Sequence, residues 1–139
     1  MSERIFVYGT LREDPEHEMY RVLAKSAKFI GDGEVQARMY DLGAYPGIVP
    51  SSDSSERVVG EVYELRRERA EHALATLDDY EGLGADDPLP HEYERIPVTV
   101  LLTSGRKMTA WAYVLANKNP IRPRIPEGDY LKWKSRQGP

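Results

Sequence analysis

The chain has 139 residues, no cysteine, and 19 basic against 23 acidic side chains for a net charge of −4. A length of this order fits one domain over 1–139, and the missing thiols exclude disulfides, thiolate metal sites and a cysteine nucleophile. Charges of both signs are mixed along the chain with no basic run to neutralise phosphates, which argues against a nucleic-acid partner.

The N-terminal apolar run, Ile5-Phe6-Val7-Tyr8, is too short for a signal peptide or a membrane span, so no membrane association and a cytoplasmic address are expected. This run reads as a strand stopped by Gly9, with turn and helix-entry residues through Pro15. Met19, Val22, Leu23 and Ala27 then recur at helical spacing, predicting an amphipathic helix within 15–26. Residues 29–41 suggest extended structure broken near Gly31-Asp32-Gly33, and Tyr45-Pro46-Gly47 a turn into another short strand.

Residues 58–65 read as a strand buried on both faces, with Val58 and Val62 on one side and Val59, Tyr63 and Leu65 on the other. The period becomes helical over 67–81. After a loop rich in Gly, Asp and Pro, Tyr93 to Leu102 alternates with Ile96, Val98, Val100 and Leu102 on one face. Thr103-Ser104-Gly105 predicts a hairpin into an antiparallel partner at 107–116. The tail is expected to be largely irregular, ending in a short docking segment. Short strands with hairpin signals and two main helices predict an α+β domain on a curled antiparallel sheet.

The second helix carries the most informative residue. At about 100° per residue, Ala70, Leu74 and Leu77 share one stripe, and Glu81 falls inside it, with Asp78 at its edge and Asp79 towards solvent. An ionised, unpaired glutamate on an apolar face costs several kcal/mol, so it must be paired, protonated or functional. Burial and the negative end of the helix dipole both raise its pKa, with Gly82 as the expected helix stop; a carboxylate near neutrality suits acid/base catalysis. The competing reading is a helix that frays at 79 or 80, leaving Glu81 exposed or paired with Arg95.

Tyr8-Gly9-Thr10-Leu11 directly follows a strand, where a glycine is either a simple turn or the point at which backbone amides approach an anion. It lacks the spacing of a nucleotide loop. His17, His72 and His91 are isolated, so no metal site is expected, and the serines at 51–55 lack a nucleophile-elbow context. Trp111 and Tyr113 share a strand face, either lining a cavity or filling core.

Taken in order, Phe6-Val7-Tyr8-Gly9-Thr10-Leu11-Arg12, Tyr45-Pro46-Gly47-Ile48-Val49, Gly60-Glu61-Val62-Tyr63, Leu77-Asp78-Asp79-Tyr80-Glu81-Gly82, Tyr93-x-Arg95, Ala110-Trp111-Ala112-Tyr113-Val114 and Gly128-Asp129-Tyr130 resemble the gamma-glutamylcyclotransferase-like family. The resemblance implies a small antiparallel β-barrel flanked by helices, with a pocket at one mouth. It implies a cofactor-free enzyme that cyclises a small-molecule gamma-glutamyl amine or amino acid to 5-oxoproline, with Glu81 as the catalytic glutamate. The main chain of Tyr8, Gly9, Thr10 and Leu11 would hold the gamma-glutamyl group. Tyr8, Arg12 and Tyr113 are candidate lining residues, Arg12 being equally suited to a surface charge. A non-catalytic metabolite-binding module and a gamma-glutamyl deprotection enzyme are the alternatives on the same pattern. The leaving group and the oligomeric state are not specified.

Overall fold

The structure, a computed structural model, describes residues 3–8, 21, 24–43, 45–83 and 89–136. Five strands close into a barrel: β1 (Arg4–Val7), β2 (Ala27–Val35), β5 (Val58–Leu65), β6 (Tyr93–Leu102) and β7 (Lys107–Leu115), in the order β1-β5-β2-β6-β7. Neighbours pair antiparallel except at the closing seam, where β1 meets β7 in parallel at Ile5 and Trp111. A second sheet has the order β4-β3-β8, from β3 (Ala37–Asp41), β4 (Pro46–Pro50) and β8 (Arg124–Ile125). Two helices complete the labelled elements, α1 (Ala70–Tyr80) and α2 (Tyr130–Arg136), and residues 24–26 are also helical.

Strand alternation separates two apolar clusters. On β7, Met108, Ala110, Ala112 and Val114 turn into the barrel beside Phe6, Val58, Val62, Val100 and Leu102. Tyr113 and Leu115 turn outward with Ile5, Val7, Tyr63 and Leu65, and there they meet Ala73, Leu74 and Leu77 of α1. Each fully buried leucine of that stripe contributes about 1.5–3 kcal/mol, so α1 is held by its outer-layer contacts more than by helix propensity.

Topology decides where the end of α1 arrives. β5 finishes at the rim where β1 begins, since Arg4 pairs with Glu64. The helix follows β5 and returns along the outside of the barrel, a run of about 16 Å at helical rise. Its C-terminus therefore comes back to the rim where β1 and the parallel β7 end and where the antiparallel β6 starts.

Three expectations change. The first extended region is not broken at Gly31-Asp32-Gly33; β2 runs through it, with a register irregularity between Phe29 and Gly31, and the break comes at Gln36. Gly33 continues the strand because it lies opposite Gly60 and close to Val100, where a side chain would collide. The tail is irregular to Asp129 apart from β8 and docks at its end as expected, but the docking segment is a helix, Tyr130–Arg136, and β8 was not foreseen. Gly128 takes φ +65°, and a Cβ there would sit 1.8 Å from the Arg57 carbonyl oxygen. The Gly128 carbonyl accepts the Val59 N–H at 2.7 Å, which pins the tail to β5 and inserts Tyr130 into the barrel cluster at 1% exposure. The third change is the start of the second helix, which begins at Ala70 after a turn over 67–69. Among the described residues, no helix is long and apolar enough to cross a membrane.

Candidate active site

The helix does not fray before Glu81. Glu81 is the C-cap of α1, and its N–H still bonds the Leu77 carbonyl at 2.9 Å. Gly82 follows at φ +81°, the left-handed conformation that a glycine adopts without strain. Its N–H bonds the Asp79 carbonyl at 3.1 Å while the Leu83 N–H reaches back to Asp78 at 2.8 Å, the paired pattern of a Schellman cap. Leu83 packs on the outer apolar cluster and seals the turn. The stop residue thus fixes the direction in which the last carboxylate leaves the helix.

Glu81 is partly buried, and its carboxylate has no hydrogen bond or ion pair among the described residues. Burial, reinforced by the neighbouring charge of Glu92, lifts its pKa from the usual 4.5 to about 7. Its own charge in turn bears on four phenols from four parts of the chain: Tyr8 after β1, Tyr45 before β4, Tyr93 at the start of β6 and Tyr113 on β7.

Each of those phenols is raised above its ordinary pKa and remains protonated at neutral pH. Burial is the main cause for Tyr8, Tyr93 and Tyr113, and the bond to Glu92 is the main cause for Tyr45. Their protons are committed elsewhere. Tyr8 donates to the Tyr113 carbonyl at 2.6 Å, Tyr93 to the Pro46 carbonyl at 2.7 Å, Tyr113 to Asp78 at 2.7 Å and Tyr45 to Glu92 at 2.6 Å. Four neutral, hydrogen-bonded phenols therefore lie within electrostatic reach of one carboxylate poised to gain or lose a proton near pH 7, a property general acid/base chemistry needs.

Of the residues singled out from sequence, Glu81, Tyr8 and Tyr113 come together. Gly9, Thr10, Leu11 and Arg12 lie outside the described residues. Arg95 does not pair with Glu81; its guanidinium forms a two-bond bridge to Asp78 at 2.8 and 3.1 Å. Trp111 is partly buried and carries Arg95 over its ring, 4.5 Å from the centroid. His72 is exposed on the far side of α1.

Tyr45, Glu92 and Tyr93 were missed as members of the site. Composition held a signal for them: nine tyrosines against two phenylalanines means phenols recur where phenyl rings would suffice for packing. Tyr93 and Arg95 also alternate onto one strand face, directly opposite Leu115 and Tyr113.

The fold is that of a small α+β barrel protein, with the near-neutral Glu81 at the end of the helix packed on its outer layer. Residues 5–132 match the family model described as Gamma-glutamyl cyclotransferase, AIG2-like, and the chain belongs to that family. A Vibrio cholerae protein that carries a provisional gamma-glutamylcyclotransferase name is 35% identical over 134 residues, covering 95% of this chain and 98% of that one. The crystal structure of a mouse AIG2-like protein superposes with a TM-score of 0.69 at 26% identity, over 93% of this chain and 88% of that one. Bacillus subtilis YkqA shares the fold at a TM-score of 0.72 and 22% identity; 99% of this chain matches, spanning 42% of that longer protein.

Proposed function

We propose that this protein is a gamma-glutamyl cyclotransferase acting on a gamma-glutamyl amine or amino acid, with Glu81 as both base and acid. The observation that carries the reading is Glu81 itself: a carboxylate near pKa 7, free of hydrogen-bond partners among the described residues, whose charge bears on four neutral phenols. The family supports it.

In this mechanism the substrate's own alpha-amine is the nucleophile. Ionised Glu81 takes a proton from the alpha-ammonium, and the freed nitrogen attacks the gamma-carbonyl carbon. The new carbon–nitrogen bond closes the five-membered ring, protonated Glu81 returns its proton to the departing nitrogen as the bond to the carbonyl carbon breaks, and the regenerated carboxylate takes the second proton of the ring nitrogen and passes it to the freed amine, which leaves as the ammonium. The products are 5-oxoproline and a free amine or amino acid. Because the attack is intramolecular, holding the chain folded removes much of the entropic barrier in advance. Tyr8 and Tyr113 serve as walls with fixed hydroxyls, and the main chain at Gly9 to Leu11 is the proposed cradle for the alpha-carboxylate or the developing oxyanion.

Incubation with a panel of gamma-glutamyl amines and amino acids, read by mass spectrometry for 5-oxoproline, tests the proposal. The wild type should release it from at least one member, and Glu81→Gln should not while remaining folded. Equal inertness of both proteins across the panel refutes the activity.

A further inference from the structure

Asp78 stands one helical turn before Glu81 and makes three side-chain hydrogen bonds. Two come from Arg95, Nε at 2.8 Å and Nη2 at 3.1 Å, and the third from the Tyr113 hydroxyl at 2.7 Å. Arg95 and Tyr113 are directly opposed across β6 and β7, so one carboxylate reads a single cross-strand pair. The Asp78 main chain belongs to the same device, since its carbonyl accepts the Leu83 N–H of the cap around Glu81. The Tyr113 carbonyl takes the Tyr8 hydroxyl, which carries the connection to the end of β1.

We propose that Asp78 and Arg95 are positioning residues for Glu81: their fork fixes the last turn of α1 against β6 and β7, and so sets where the Glu81 carboxylate meets substrate. An ion pair with side chains 22% and 25% exposed, joined by two parallel bonds, restricts geometry more than a single exposed pair does. Its place in the final turn, rather than at the middle of the helix, means that loosening it displaces Glu81 before it displaces Leu74 or Leu77.

The charges also matter in opposite senses. Glu81 is faced by Tyr8 after β1, Tyr45 before β4, Glu92 and Tyr93 of the β6 end, and Tyr113 of β7, with Arg122 close to Tyr45. Asp78 and Arg95 form an ion pair of zero net charge one helical turn before Glu81. Removing one member leaves the other's charge uncompensated one turn away.

The role in proton transfer rests on the reading of Glu81 as acid/base, and the measurements separate the two ideas. Arg95→Lys keeps the charge and loses the fork. It should lower kcat by roughly tenfold or more with KM changed by less than about twofold, the pattern of a displaced catalytic group. Amide exchange at Gly82 and Leu83 should accelerate in the same variant. Asp78→Asn should move the Glu81 carboxyl titration, followed by carbon NMR, to lower pH, and Arg95→Met should move it to higher pH. Exchange and titration need no turnover, so a wild type inert on every gamma-glutamyl compound would refute the activity while leaving the positioning claim decided. Where Asp78→Asn does not fold, Tyr113→Phe removes one bond alone and should still speed exchange at Leu83. Unchanged exchange at both amides, titration midpoints that stay put, or kcat reduced only in proportion to the folded fraction would each overturn the positioning role.

Discussion

Tyr8 and Tyr113, separated by 105 positions in sequence, are joined by a 2.6 Å hydrogen bond from phenol to backbone carbonyl. The residue that directly follows the first strand is thereby locked to the strand that closes the barrel. Tyr8→Phe should leave a buried carbonyl without its donor and cost about 1–3 kcal/mol in urea unfolding. Turnover should fall further than the lost stability accounts for, because Tyr8 directly precedes Gly9.

Glu81 makes stability depend on pH in the unusual direction for a carboxylate. Its pKa is about 7 in the fold and near 4.5 when unfolded, so between those values the native chain binds more protons than the unfolded one. Stability contributed by this group is full below about pH 4.5 and is lost as pH rises through 7. Given its partial exposure, the difference amounts to about 2 kcal/mol. Glu81→Gln should match the wild type at pH 4 and exceed it at pH 8 in denaturant midpoints; a constant gap across that range would contradict the assignment.

Glu92 raises the Glu81 pKa through its charge and is itself exposed. Glu92→Gln removes that repulsion and retains an acceptor for Tyr45. The acidic limb of the kcat/KM profile should shift to lower pH, since the base form of Glu81 then persists further into acid. Added salt should shrink the shift.

Gly82 occupies a left-handed backbone position with open space where a Cβ would go. Gly82→Ala should therefore cost about 1 kcal/mol, conformational rather than steric, and Gly82→Asn less. Both should affect kcat more than the fold, because the cap aims Glu81.

Glu56 shows the ordinary sign. Bonds from Ser51, Arg38 and Arg124 hold its pKa at about 2, below the usual 4.5. Its stabilisation is present above about pH 4.5 and disappears as pH falls towards 2. Glu56→Gln should destabilise the protein at pH 7 in thermal unfolding and converge with the wild type below pH 2.

The sequence by itself determined what depends on near neighbours. The α1 stripe of Leu74 and Leu77, the stop at Gly82, and the 93–115 hairpin follow from side-chain period and turn stereochemistry, which act over a few residues. The family blocks marked Glu81 and Tyr8 in the same way. Only the tertiary structure decided that β1 closes on β7 in parallel, that Arg95 pairs with Asp78 and not with Glu81, and that Tyr45, Glu92 and Tyr93 join the site. The physical reason is distance along the chain. Barrel closure brings together groups 17 to 105 positions apart, and no local pattern records which of two carboxylates one turn apart an arginine will meet.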